Sequence, residues 1–186
     1  MNARSTRQRL REEEAGQPVS VQIRWMIRRD LDAVLRTEMA SFEQAWSEED
    51  FLRCLRQRHC IGMVAEQGDS VVGFMIYELQ KHGLHLLNFA VHPSCRRAGI
   101  GTQMIQRLIQ KMQAHRRRAI TLIVRERNLP AQLFFRKMGF QAVRLLRRYY
   151  PDTGEDAYLM EYRNPQLTLA VNESAGNNRL SSYDPE

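Results

Sequence analysis

Cysteine, lysine and long apolar runs are all scarce in this chain. Three cysteines (Cys54, Cys60 and Cys95) are scattered over 186 residues, with no CxxC pair. That count excludes a disulfide framework, and without paired spacing no zinc or other metal site is expected. Cys95 lies beside Arg96, which would favour a thiolate. No histidine or acid stands at a recognisable partner spacing, so no nucleophilic role is assigned. No run approaches the roughly 18 apolar residues of a membrane span. The opening "MNARSTRQRLREEEAGQP" has no apolar stretch of the kind a secretion signal needs. A cytoplasmic protein without a membrane partner is expected.

Only three of the 28 basic residues are lysines, and the net charge is +7. An arginine-biased proteome accounts for such a bias. A sharper reading is an anionic partner, either a phosphorylated cofactor or RNA-rich machinery. Nothing resembles a nucleic-acid reading motif with interleaved aromatics. The cofactor is therefore favoured, and no direct nucleic-acid contact is expected.

Along the chain, residues 1–18 are polar and of mixed charge, and read as a disordered arm. Residues 164–186, rich in Asn, Ser and Pro, read as a flexible tail in which "LTLAV" could add a short strand. The domain spans 19–163. "VQIRWMI" (21–27) alternates like a strand. Asp30 can cap a helix carrying Leu31, Val34 and Leu35, and "SEED" (47–50) fits a capping box. "IGMVAE", "QGDS" and "VVGFMIYEL" read as a hairpin, and "GLHLLNFAV" (83–91) as a central strand. Met104, Ile105, Leu108, Ile109 and Met112 form an apolar helical stripe for the core. "AITLIV" (119–124) is a strand. Asn128 and Pro130 open a helix that Gly139 closes, and two strands flank "PDTG". The fold class is α/β, ordered β-α-α-β-β-β-α-β-α-β-β. Its strand–helix–strand units imply right-handed parallel crossovers and hence a mixed sheet.

The informative stretch is "HPSCRRAGIGTQM" (92–104). A strand running into a glycine-rich turn and then a helix presents free backbone N–H groups, and the helix dipole adds about half a positive charge there. Gly99 and Gly101 remove β-carbons that would hold a phosphate off the amides. Arg96 and Arg97 supply forked donors. The stretch reads as a pyrophosphate cradle. A Walker loop would need Lys-Ser or Lys-Thr after the last glycine, where Thr102-Gln103 stands. A dinucleotide fingerprint would need a third glycine, where Met104 stands.

"RRAGIG" matches the R/Q-x-x-G-x-G/A signature of the GNAT acyl-CoA N-acyltransferases, and it follows "NFAVHP" as in that family. The resemblance extends over residues 20–163. Phe42, Trp46 and Ser47 in "F-x-x-x-W-S", Asn128, "MGF" (138–140) and "RRYYP...GEDAYLM" (147–160) resemble the RimI-like branch, whose members acetylate the N-terminal alanine of a small-subunit ribosomal protein. The resemblance implies the GNAT fold with splayed central strands, and acetyl-CoA as cosubstrate. It implies acetyl transfer to the α-amine of a protein N-terminus, with a ribosomal protein as one such partner. The backbone of Phe89, Ala90 and Val91 would pair with the pantetheine arm. Arg96, Arg97, Ala98, Gly99, Ile100, Gly101 and Thr102 would hold the pyrophosphate, and Asn128 would touch the cofactor where the strands part. Phe42, Trp46, Tyr149 and Tyr150 would line the acceptor channel. Core packing is the competing reading for the aromatics, although one of two adjacent strand tyrosines should face outward.

The pattern breaks at the proton carriers. RimI-like enzymes carry a glutamate on the strand after the cofactor helix and a tyrosine on the next helix. The matching positions here are Ile123 and Phe135, and neither can move a proton. Glu43, His85 and Glu126 are candidate replacements, and none is assigned. An acyl-CoA-binding module with weak or no catalysis, or action on another amine, stays open. "HRRR" (115–118) reads first as cations suiting a helix C-terminus. Arg144, Arg147 and Arg148 read as a solvated face.

Overall fold

The computed structural model describes residues 19–165 and 167. The expected arm and nearly all of the expected tail lie outside these residues. Seven strands run in the order β1-β2-β3-β4-β5-β7-β6. They are β1 (Gln22–Trp25), β2 (Cys60–Gln67), β3 (Ser70–Leu79), β4 (Gly83–Val91), β5 (Ala119–Arg125), β6 (Gln141–Tyr150) and β7 (Glu155–Arg163). Four helices are interleaved: α1 (Leu31–Met39), α2 (Glu48–Leu55), α3 (Ile100–Ala114) and α4 (Leu129–Lys137). The order is the one the sequence implies. The sheet is mixed: β4 and β5 pair in parallel, and β6 runs in the direction of β5, so both β4–α3–β5 and β5–α4–β6 are parallel crossovers as the sequence implies. Antiparallel β7 inserts between β5 and β6.

Period-two alternation in the central strands sorts side chains into two layers. Met75 and Tyr77 of β3, with Leu84 and Leu86 of β4, join Ile100, Met104, Ile105, Leu108 and Met112 of α3 in one core. Phe74 and Ile76 of β3 meet Leu31 and Val34 of α1 and Phe51 of α2 on the other side. The apolar stripe of α3 thus packs as core.

A bulge interrupts β4. Ile76 pairs with Asn88 and Tyr77 with Leu86, so Leu87 is an extra residue. The insertion flips the alternation. Asn88 turns to the α1 side, Phe89 to the α4 aromatics and Ala90 back to the α1 side.

Local signals act as written, with one exception. Ser47 and Asp50 form a reciprocal capping box on α2. Asn128 accepts from the Ala131 amide at 3.1 Å and caps α4, and Gly139 follows α4 at φ 91°. Asp30 precedes α1 but makes no cap bond to it. Instead its carboxylate takes two hydrogen bonds from Arg24, at 2.6 and 2.8 Å, and one from the Ile27 amide at 2.8 Å. Arg24 also reaches Glu66 at 2.9 Å, so one guanidinium ties β1, β2 and the entry to α1. In "HRRR", Arg116 takes φ 50° past the helix end, and Arg117 reaches the Lys81 carbonyl at 2.6 Å. The Arg117 side chain thus ties the segment after α3 to the β3–β4 turn, not to the last helical carbonyls. Asn164, the first residue of the expected tail, is buried, and its amide donates to the Arg118 carbonyl at 2.8 Å.

β6 is an edge strand with two register breaks. Val143 and Leu145 are exposed on it, and Arg144, Arg147 and Arg148 stand beside them. The solvated-face reading of these arginines fits.

Asp30 is 4% exposed, and Arg24 holds its carboxyl below the usual 3.8. Asp30→Asn should cost about 2 kcal/mol at neutral pH, the scale of charge-assisted hydrogen bonds. A depressed carboxylate stabilises above its unfolded pKa and loses that contribution as pH falls through the folded one. The gap between wild type and variant, read from urea midpoints, should therefore narrow below pH 3.8.

Candidate active site

The β4–β5 ladder runs from Gly83–Ala119 to Leu86–Leu122 and stops. Both strands continue, β4 to Val91 and β5 to Arg125. Beyond the bulge they diverge, so the β5-facing backbone of Phe89, Ala90 and Val91 has no strand partner there. The cleft between them ends in the turn before α3.

That turn is built from two left-handed residues, Arg97 at φ 66° and Gly99 at φ 80°. Helical bonding begins with the Gln103 amide on the Gly99 carbonyl at 3.1 Å. The N–H groups of residues 97–102 bond no carbonyl among the described residues. Six amides therefore surround the positive end of a 15-residue helix. A side chain at Gly99 would be strained by its φ alone. Gly101 has a different reason from the one the sequence suggested. A β-carbon there would meet Phe134 at 3.3 Å and Phe89 at 3.4 Å, so it faces the aromatic packing. Arg96 likewise makes contacts that the sequence did not show. Its side chain bonds the Val91 carbonyl and Ser41 Oγ, each at 3.0 Å, while both Arg96 and Arg97 are exposed. Ala98 is half-buried, and its carbonyl accepts from the Val19 amide. Ile100 is in the core, and Thr102 is half-buried at the first helical turn. The Asn128 oxygen is occupied as the α4 cap.

On the α1/α2 side, Phe42 and Trp46 pack against the second core, with the Trp46 ring 5.3 Å from Phe51. Core packing thus describes much of both. Tyr149 is 46% exposed and Tyr150 half-buried, their rings 5.1 Å apart. One does face outward. Tyr150 lies under Arg125, whose guanidinium carbon is 3.6 Å from the ring centroid. Burial raises its phenol pKa above 10.0, with Arg125 opposing.

Two groups here carried no sequence signal. Arg125 bonds Glu155 at 2.9 Å and Gln44 at 2.7 Å, clasping the α1–α2 loop to the β6–β7 hairpin. Glu38, 1% exposed in α1, accepts from the Trp46 amide at 2.8 Å and from Asn88 Nδ2 at 3.1 Å. Burial raises its pKa, against both hydrogen bonds. These contacts are between residues far apart in sequence, and no local pattern encodes them. Ile123 is half-buried on β5. Phe135 is 6% exposed among Phe89, Phe134 and Phe140. Glu43 and Glu126 are exposed.

A parallel strand pair that parts above a bulge, ending in an amide-lined turn at a helix start, defines an acyl-CoA N-acyltransferase fold. The chain belongs to the acetyltransferase (GNAT) family, whose model matches residues 28–140. It is an acetyl-CoA-dependent enzyme of that class. An N-alpha-acetyltransferase of Sulfurisphaera tokodaii is 31% identical over 145 residues, 70% of this chain and 86% of that one. The [ribosomal protein bS18]-alanine N-acetyltransferase of Escherichia coli K12 is 29% identical over 133 residues, 70% and 89% of the two chains. The crystal structure of the ribosomal-protein-S18-alanine N-acetyltransferase from Escherichia coli superposes with TM-score 0.71 at 25% identity, covering 77% of this chain and 94% of that one. No helix among the described residues is long and apolar enough to cross a membrane.

Arg125→Met should release the clasp without disturbing either core. Amide exchange across residues 150–155 should quicken about tenfold, on the scale of a lost cation–π contact and ion pair, while exchange in α3 stays unchanged.

Proposed function

We propose that this protein transfers the acetyl group of acetyl-CoA to the α-amine of a protein N-terminus, with a ribosomal protein as the natural acceptor. The observation that carries the reading is the opening of β4 from β5 directly before the amide-lined turn. The unpaired β4 edge at Phe89, Ala90 and Val91 suits an extended amide-bearing arm. The N–H groups of residues 97–102 suit a diphosphate, with Arg97 as its cation. Gly99 keeps that turn free of a side chain, and Gly101 lets α3 close on Phe89 and Phe134. Asn128, its oxygen held by the α4 cap, would offer the cofactor its side-chain amide nitrogen.

The acceptor enters from the α1/α2 side. Phe42, Trp46, Tyr149 and Tyr150 form the walls, and Arg125 fixes their spacing through Gln44 and Glu155. The bound thioester supplies an activated acyl carbon. Holding amine and acyl carbon together is worth about 7–11 kcal/mol of barrier. An α-amine of pKa about 7.7–8.0 is partly neutral at pH 7 without help. The cleft therefore supports turnover although Ile123 and Phe135 carry no proton. The similarity to N-alpha-acetyltransferases and to the bS18-alanine enzyme supports this acceptor class over a small amine.

Thr102→Glu provides the test. A carboxylate in the first turn suits the helix dipole, so the fold should hold, while like charge should expel the diphosphate. Acetyl-CoA affinity by calorimetry should fall at least about tenfold, equal to 1.4 kcal/mol, and wild type should acetylate peptides with free α-amines but not α-blocked ones. Acetylation of lysine side chains alone would overturn the acceptor assignment.

A further inference from the structure

We propose that His85 accepts the proton released by the attacking amine. The assignment rests on the acetyl-transfer reading above and supplies what Ile123 and Phe135 lack.

Its place in the sheet carries the argument. His85 pairs with Thr121 one step before the ladder ends at Leu86–Leu122. Its strand neighbours Leu84 and Leu86 both lie in the α3 core, so the ring projects to the opposite face. That is the face of α1 and α2, from which the acceptor enters. The next β5 residue on this face after Thr121 is Ile123, where the family pattern has its glutamate. Residues two apart on a strand are about 6.6 Å apart, and strand side chains lean along the strand. An imidazole here reaches the floor of the opening directly or through one water.

The ring is oriented for the task. Nδ1 lies 2.8 Å from Thr121 Oγ1, while Nε2 has no hydrogen-bond partner among the described residues. In the tautomer with the proton on Nδ1, Nε2 presents its lone pair. The charged and titratable neighbours are few. Glu78 of β3 lies opposite His85 and is itself held by His59 at 3.0 Å. Cys60 of β2 stands beyond Glu78. Cys54 of α2, near Cys60 and Glu78, has its thiol pushed up to about 12, first by burial. Glu161 of β7 lies opposite Thr121 and pairs with Arg163. Burial lowers the His85 pKa below 6.5, and Glu78 and Thr121 only oppose this. The ring is therefore neutral near pH 7.

The other groups around the cleft are committed. Both Glu38 oxygens are hydrogen-bonded, Glu155 is bound to Arg125 and the Arg127 amide, and the Tyr150 phenol stays protonated. Glu43 and Glu126 are exposed.

In the step itself the amine lone pair forms the N–C bond and the carbonyl π pair moves to oxygen. The ammonium proton passes to His85 Nε2. As the carbonyl reforms, the C–S bond breaks and the sulfur leaves with its electron pair. The imidazolium then returns the proton to the thiolate or to solvent.

The full-length chain is assayed on a free-α-amine peptide across about pH 5 to pH 9. Below the imidazole pKa, log(kcat/KM) should rise with slope two in wild type, because base and amine must both lose a proton. In His85→Asn, whose amide can still reach Thr121, the slope should be one, kcat should fall by about 10²-fold or more, and acetyl-CoA affinity should be unchanged. Independently, ¹⁵N-histidine NMR should show His85 titrating below 6.5. Its Nε2 resonance should shift when a conjugate joining coenzyme A through an acetyl bridge to a peptide α-nitrogen binds. That titration decides the matter if His85→Asn fails to fold. Turnover with unchanged slope and kcat in the variant, or an Nε2 resonance indifferent to the conjugate, overturns the assignment alone. Wild type without turnover overturns the parent reading and this assignment together.

Discussion

One extra residue in a central strand sets the geometry of this enzyme. Leu87 inserts into β4 without a partner on β3, and the parallel ladder to β5 ends one residue earlier. Regular pairing would have kept the two strands sealed by hydrogen bonds to their ends. The bulge instead rotates Asn88, Phe89 and Ala90 to faces they would not otherwise occupy. Asn88 then meets Glu38 of α1, and Phe89 meets the ring of Phe134 at 5.8 Å. The opening is thus wedged from both layers. Aromatic packing holds the α4 side, and a buried carboxylate–amide bond holds the α1 side.

The two layers contribute different chemistry to the same gap. The α3 side is electropositive and rich in backbone donors, because a helix starts there with no side-chain cap. The α1/α2 side is aromatic and is closed by a guanidinium that bonds two loops at once. The strands between the two layers separate most of their side chains into two cores. Arg96 joins the two sides directly. Although it belongs to the donor-rich turn, it reaches across to Ser41 after α1, so the turn is braced against the wall opposite.

Much of the fold was legible because periodicity and punctuation are local. "GLHLLNFAV" is a strand with the bounds read from it, and "SEED" caps a helix as its spacing requires. The signature turn lies directly before a helix as the sequence has it, and two of its residues make contacts that the sequence did not show. Gly101 is small because two aromatic rings approach it, and Arg96 is engaged by the protein itself. The ring of Phe134, which arrives from α4 about thirty residues on, leaves no trace in "RRAGIG". Asp30 was misread likewise. Its helix-capping position is visible in sequence, whereas Arg24, folded back from β1, is not. The bulge is the clearest case. An apolar Leu87 in an apolar strand gives no hint that it is the residue without a partner.

The open edge of the sheet has a colloidal consequence. β6 offers Val143 and Leu145 to solvent on a strand whose outer side is unpaired among the described residues, the kind of border along which chains stack into fibrils. Arg144, Arg147 and Arg148 sit among those positions, and Arg148 kinks the border with φ 48°. Like charge and a bent outline both discourage a second molecule from docking strand to strand. Part of the arginine surplus thus stands where like charge opposes strand-to-strand docking, an opposition that rising salt would weaken by screening.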